Sequence, residues 1–433
     1  MSQREEVLKL TLWDMRFVHA STETLYRRAF GGSLEACLAP SAWPTVLLPL
    51  VFLTACAPRV PATSPSLGID VCARAPAYAE ESTFFASAEV EDANSIDLPA
   101  TGDLWPSCSS GTTLFTAWGD GYGFTHEHDR RRPDIGVGVL HGLPGAPAMM
   151  QGRNRVTDDR HSQKVFRVWT PGAYYQKPTG MLCRGGRVYL AVQDLGTSYD
   201  DAAAATIAES KDGGETWVEG DAPMFSRGRF TTLMFLDTGP DGRDARDDYV
   251  YVYGLDFNFR GSPRVKSPQG LFLARVAAGK SLRDLSAWEW FSGDPVAPSW
   301  TLEFSARRPV LVDCTRRHAA DKPPGYPVIA QGGVVYDAPL ARYIYTSWSE
   351  YTFEFYEAET PWGPWRRFLS KDFGMPPWTD AKHGGYATSA PSSWISSDGK
   401  TLWVQSNTWS AGVEHNNLAL RKLTLSPRVS ATP

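Results

Sequence analysis

One unit recurs five times along the chain: a reversal, then a run rich in aromatic and β-branched residues, then an acidic or amide residue where the run stops. The runs are TTLFTAWGD ending at Asp120, RVYLAVQD at Asp194, DYVYVYGLD at Asp256, RYIYTSWSE at Glu350 and TLWVQSN at Asn407. Each has the residue types and the length of a β-strand. Four of them follow an earlier strand-like run across a turn, as in GMLCRGGRVYL and SSWISSDGKTLWV, so each reads as the inner hairpin of a larger antiparallel unit. The end residues stand about 60 to 90 positions apart, a spacing that fits four-stranded propeller blades. The expected fold class is therefore all-β, a single five-bladed β-propeller. Two tandem sandwiches would compete, but no Pro/Ser-rich linker divides the chain after Ser66. The 38 Gly, 32 Pro and 16 Trp suit a large β protein with many turns. The alanine-rich DAAAATIAES runs straight into a turn and reads as a strand, not a helix.

That turn is SKDGGETW, Ser210 to Trp217, which matches the Asp-box pattern S-x-D-x-G-x-T-W. Its Ser and Asp can bond turn backbone, its Gly accepts positive φ, and its Trp can pack between sheets. A degenerate copy is SSDGKTLW, Ser396 to Trp403. Such a box marks an outer hairpin of the architecture and not the chemistry.

The first residues differ from the rest. TVLLPLVFLTA, Thr45 to Ala55, has the length of a signal-peptide core and is too short to span a bilayer. It ends in Leu53-Thr54-Ala55-Cys56, which resembles a bacterial lipoprotein processing box, with Cys56 the residue to be lipidated. Residues 1–55 are thus read as a lipoprotein-type signal peptide, 56–80 as the lipidated cysteine and a flexible linker, and 81–433 as the propeller domain. The expected location is the cell envelope, facing the periplasm or the cell surface, with membrane contact through the lipid anchor only. Cys72, Cys108, Cys183 and Cys314 then allow three pairings, between which sequence does not choose. A net charge of −5 gives no reason to expect nucleic acid as a partner. No metal-binding spacing stands out, no cofactor is expected, and a monomer is the simplest state.

In an antiparallel hairpin the second strand ends beside the start of the first. If the first strand of each blade lines a central axis, Asp120, Asp194, Asp256, Glu350 and Asn407 form a ring at one mouth. Clustered carboxylates raise one another's pKa, which lets an acid and a base coexist. Glycoside hydrolysis needs such a pair. The catalytic candidates are Asp120, Asp256, Asp194 and Glu350. Trp118, Tyr122 and Phe124 around Gly119-Asp120-Gly121, with His383, Tyr386 and Asn407, are the candidate substrate-binding residues, since sugars stack on aromatics and bond nearby polar groups.

LFTAWGDGYGF, DDYVYVYGLDFNF, the YEAETPWGPW stretch and GGYATSAPSSWISSDGKTLWV resemble exported five-bladed propellers of the domain-of-unknown-function 4185 type. That group includes endo-D-arabinanases. The resemblance covers roughly Thr112 to Leu425 and implies a glycoside hydrolase acting on an extracellular or cell-wall polysaccharide. It makes Asp120, in the Gly-Asp motif, the first catalytic candidate and Asp256 the next. A non-catalytic propeller lipoprotein that binds glycan or protein is the alternative. A sialidase, suggested by the box alone, lacks its Arg-Ile-Pro motif here.

Overall fold

The computed structural model describes residues 72, 79–92, 100–125, 131–199, 201–260, 270–317, 325–349, 352–373, 385–408 and 416–428. These belong to one compact unit, Thr63–Pro433. The fold is all-β, as expected. The leader and Cys56 lie outside the described residues, as do Glu350 and His383. Among the described residues no helix is long and apolar enough to cross a membrane.

The strands fall into five successive antiparallel groups. The first runs Ser107–Ser110, Thr113–Gly123, Ile135–His141 and Gln151–Asp158. The second runs Tyr174–Arg184, Arg187–Gly196, Ala202–Ser210 and Phe225–Ser226. The third begins with Thr232–Asp237, Tyr249–Leu255, Gly270–Ala277 and Trp288–Phe291. The fourth is Gly333–Asp337, Arg342–Trp348, Thr352–Ala358 and Arg366–Asp372. The fifth joins chain ends: a bridge at Ser389 pairs with Gln405 in Thr401–Thr408, which pairs with Asn417–Pro427, which pairs with the N-terminal Phe85–Val90.

Two observations relate these groups in space. A cavity of ≈ 30 Å³, room for a water or two, is lined by Ser107, Gly180, Met234, Gly333 and Ser389, one from the start of each group. The apolar core is also divided into five clusters, four of them spanning two consecutive groups and one, between the fourth and last groups, also taking in Tyr175 and Leu195 of the second. Leu190 and Val192 pack with Val137 and Ala117; Leu182 and Ala191 with Phe235 and Val252. Tyr253 and Leu273 pack with Tyr345 and Tyr356, and Ile344 and Phe355 with Leu402 and Leu423. The fifth cluster sets Leu418 and Leu420 against Trp105 and Trp118, returning from the last group to the first.

The sequence run read as a strand, Ala202–Ser210, is one. The box after it turns as its residue types dictate. Ser210 Oγ accepts from Gly214 N at 2.8 Å, and Asp212 accepts from Thr216 N at 2.9 Å and Thr216 Oγ1 at 2.6 Å. Trp217 lies against Phe166, ring centres 5.7 Å apart, at the edge of the core between the first two groups. Hydrogen bonds from the Thr216 hydroxyl and amide, the Ser210 hydroxyl and the Glu215 amide hold the exposed Asp212 carboxylate down at a pKa of about 2. The degenerate box differs in place: it turns the chain into the second strand of its group, with Ser396 Oγ accepting from Thr401 N at 2.9 Å.

Two disulfides form, Cys108–Cys183 and Cys72–Cys314. The second, together with the burial of Ala79 in the core, shows that the stretch read as linker up to residue 80 is already attached to the domain in its last part. Cys108–Cys183 ties the first strands of the first two groups across a sequence separation of 75. Chain-entropy arguments give such a crosslink about 4 kcal/mol. Replacing both cysteines by alanine should therefore lower the urea midpoint of unfolding by an amount corresponding to about 2–4 kcal/mol. An unchanged midpoint would show that the bond adds nothing to the packing there.

Candidate active site

Asp120 lies in the second strand of the first group, at the end expected. Its φ is 45°, a left-handed conformation that Asp tolerates better than most residues. It is partly exposed, and its Oδ1 meets the Nζ of Lys177 at 2.7 Å. Lys177, in the first strand of the second group, is buried. Its ammonium also donates to the Asp134 carbonyl at 3.2 Å and lies 4.7 Å from the centre of the Tyr175 ring. On that ring the Arg160 guanidinium sits at 4.3 Å while pairing with Asp134 at 2.7 Å.

The second carboxyl of the site is one that sequence reading missed. Asp103 ends the short strand Thr101–Asp103, which pairs with Gly119 and Gly123 on one side and with Asn417 on the other. Burial pushes its pKa up to about 6, with Lys177 opposing the rise and Asp120 adding to it. Its Oδ2 accepts from the Tyr386 hydroxyl at 3.1 Å, while its Oδ1 is buried with no hydrogen-bond partner among the described residues. Asn416 Nδ2 donates to that hydroxyl at 2.9 Å, so the tyrosine proton is directed at Asp103.

Gly119 explains how these groups meet. A Cβ there would stand 2.4 Å from Asp103 Oδ1 and 2.8 Å from Lys177 Nζ. Gly121 likewise faces the Thr101 carbonyl at 2.2 Å. The glycines on either side of Asp120 thus serve close approach, whereas it is Asp120 itself that takes the left-handed turn. Strain gathers here too. Leu104, Trp105, Asp120, Phe230, Phe257 and Ala387 all have positive φ near the mouth-side ends of the groups. Left-handed non-glycine residues cost about 1–3 kcal/mol each and concentrate at functional sites.

The other expected members of the ring are held in different ways. The Asp256 carboxylate takes two hydrogen bonds from buried Arg307, at 2.8 and 2.9 Å, and one from Phe230 N at 2.8 Å. It works as the partner of an arginine. Asp194 is buried, and burial raises its pKa to about 6; its Oδ2 accepts from Trp169 N at 2.8 Å and Thr170 N at 2.6 Å. It belongs to a clamp on the connector between the first two groups. Asp158 takes the amides of 164, 165 and 166 there, Glu219 that of 167 and Gln163 that of 168. Asp120 is not among the charges that shift Asp194.

Two expected sugar contacts, Trp118 and Asn407, need correction. Trp118 is fully buried, with its indole N–H bonded to the Gly121 carbonyl, because it fills the core between the last group and the first. Phe124 is half-buried, packed at 5.7 Å against Trp118, so its place as a sugar contact is neither supported nor removed. Asn407 is also fully buried and positions other residues: its Oδ1 accepts from Tyr386 N at 2.8 Å and its Nδ2 donates to Asn416 at 3.1 Å. Tyr122 and Tyr386 remain half-buried at the mouth.

A pKa near 6 in the fold against 3.8 for a free side chain fixes a sign. Protonated Asp103 favours the folded state, so its contribution is complete only below the free value of 3.8, is largely kept at pH 4 and is lost as pH rises through about 6. Asp103→Asn should then raise stability at pH 7–8 by about 1–3 kcal/mol relative to the native chain and by much less at pH 4. Thermal unfolding at both pH values checks this, and an equal change at each would contradict it.

No protein-family model and no curated protein matches the sequence. Among solved structures, the chain is similar to a thermostable family-43 glycoside hydrolase, with 13% identity, 82% of this chain and 98% of that one covered, and a TM-score of 0.44. It is similar also to the GH43_1 enzyme of Xanthomonas citri complexed with xylose, with 13% identity, 80% and 91% coverage and a TM-score of 0.40. A third is a GH43 β-xylosidase/α-arabinofuranosidase from a compost microbial metagenome in complex with xylotriose, with 11% identity, 78% and 94% coverage and a TM-score of 0.42. Likenesses this low assign neither a family nor an activity to this chain.

Proposed function

We propose that this chain is a five-bladed β-propeller glycoside hydrolase that cuts a polysaccharide at the mouth holding Asp103 and Asp120. The single observation that carries the reading is this pair of carboxyl groups around Gly119, held unlike by their surroundings. One is buried with its pKa raised to about 6; the other is partly exposed against a buried ammonium. Acid and base roles are separated in this way when two carboxyls share a site. Asp103 gives its proton to the leaving glycosidic oxygen. Asp120, as carboxylate, acts on the anomeric carbon directly or through water. Lys177 keeps charge balance between them. The five groups of strands, the shared cavity and the cycle of core clusters support the propeller reading. D-Arabinan is the first substrate to test, because the sequence resembles a group that includes endo-D-arabinanases. Attachment to the cell envelope through Cys56 belongs to the same proposal.

The test is release of reducing ends from a panel of glycans that includes D-arabinan. Asp120→Asn and Asp103→Asn should each lower the rate by about 10²–10⁴-fold. The native rate should fall as pH rises through about 6, where Asp103 loses its proton. With an aryl glycoside whose leaving group needs no protonation, Asp103→Asn should recover much of its rate and Asp120→Asn should not. A native chain inactive on every glycan, or fully active variants, would leave the non-catalytic binding reading in its place.

A further inference from the structure

Tyr386 stands at the mouth in a chain of hydrogen bonds whose direction is set by its own backbone. Its N–H can only donate, and it donates to Asn407 Oδ1 at 2.8 Å. The other end of that amide is therefore the donor, and Asn407 Nδ2 reaches Asn416 Oδ1 at 3.1 Å. Asn416 in turn presents its Nδ2 to the Tyr386 hydroxyl oxygen at 2.9 Å. With that oxygen accepting, the hydroxyl proton is turned to Asp103 Oδ2 at 3.1 Å. One main-chain amide thus dictates the sense of the whole chain. Neither asparagine can flip without donor meeting donor.

The backbone around Tyr386 is built to keep that arrangement. Gly385 has a φ of 75°, and a Cβ there would stand 2.1 Å from the Asn407 carbonyl oxygen. Ala387, on the other side, is left-handed as well, at 52°. The Tyr386 ring lies against the buried Trp348, ring centres 5.4 Å apart. The Asn416 carbonyl accepts from Gly102 N at 2.7 Å, one residue before Asp103. The charged and titratable groups facing Asp103 are Lys177, Asp120, Arg132, Tyr175 and Tyr386. Among the described residues Tyr386 supplies the hydrogen bond to Oδ2, and Oδ1, beside Gly119, has no partner. We propose that Tyr386 is the positioning residue of the carboxyl pair: it holds Asp103 Oδ2 as an acceptor, keeps the titrating proton on Oδ1 and stabilises the carboxylate once that proton has left. As a statement about catalysis this rests on the hydrolase reading; as a statement about the Asp103 proton it does not.

Carbon-13 NMR of the full chain labelled at its aspartates, with Asp103→Asn identifying the resonance, follows the Asp103 carboxyl through pH. Tyr386→Phe keeps the ring against Trp348 and removes the donated proton. A hydrogen bond is worth more to a carboxylate than to the neutral acid, so the midpoint should rise from about 6 by about one pH unit. A ring-fluorinated tyrosine in place of Tyr386, a stronger donor of nearly the same shape, should lower the midpoint. A merely structural role for the ring would not move it, and this arm stands by itself if Tyr386→Phe folds poorly. In the glycan assay, the fall of the rate with rising pH should move with the titration in both variants. A midpoint unmoved in both, or lowered by Tyr386→Phe, overturns the proposal. A midpoint that moves as expected in a chain that cuts no glycan would instead remove the hydrolase reading and leave the role of Tyr386 standing.

Discussion

Apolar packing on both faces of each sheet is the constraint from which the remaining features follow. Each core cluster joins two neighbouring groups, one of them also reaching Tyr175 and Leu195 of the second group, and an inner strand contributes alternate residues to two different cores, as Leu190 and Val192 do to one and Ala191 to another. Such a strand has no solvent face and no place for a polar alternation. YVYVYGL and RYIYTSW are the result, with nearly every residue buried. Charged side chains of the second strands, Asp120 and Asp194 among them, stand near the strand ends. A site of carboxyls is therefore what this packing leaves room for; it need not be added to the fold.

The same logic explains why the site is costly to hold. Lys177 is a buried lysine in a strand otherwise packed into the core. A buried ammonium without a partner costs several kcal/mol, so it requires Asp120 at 2.7 Å and the Asp134 carbonyl at 3.2 Å. Asp103 is then a second carboxyl facing one ammonium; burial raises its pKa, Lys177 opposes the rise and Asp120 adds to it. Its unpaired Oδ1 and the run of left-handed residues beside it are further departures from the most stable arrangement. Replacing a buried set of charged groups such as this by apolar ones of similar volume is often neutral for stability.

What could be read from the sequence divides along these lines. Second strands were visible because double burial writes continuous aromatic and β-branched runs, and the box was visible because its turn needs fixed residue types. Asp120 was found through its flanking glycines, although those glycines make room for Asp103 and Lys177 and do not bend the chain. Asp103 left no comparable mark. It sits in a three-residue strand, TGD, whose meaning depends on partners about 20 and more than 300 positions away. Lys177 did leave one: a lysine inside YYQKPTGMLCR interrupts a strand whose other residues are almost all buried, and a charge there has to meet an opposite charge. Positions that are alike in the strand pattern are held by unlike partners among the described residues. Asp256 owes its role to Arg307, and Asp194 to a connector, and neither partner belongs to the repeating pattern. Trp118 beside Asp120 was overread for a related reason, since it is needed more by the core than by any ligand.

The position of Asp103 connects assembly with chemistry. Its strand is bonded to Gly119 of the first group and, through Thr101, to Asn417 of the last, so it occupies the seam where the cycle of groups closes. The hydrogen bonds that orient Asp103 cross the same seam: Tyr386 and Asn416 come from the last group, and Asn407 holds both. The N-terminal strand Phe85–Val90 completes that last group by pairing with Leu423 and its neighbours. The approach of Asp103 to Asp120 is local, through the pairing of Asp103 with Gly119, whereas its orientation by Tyr386 and Asn416 depends on the joining of the last group to the first.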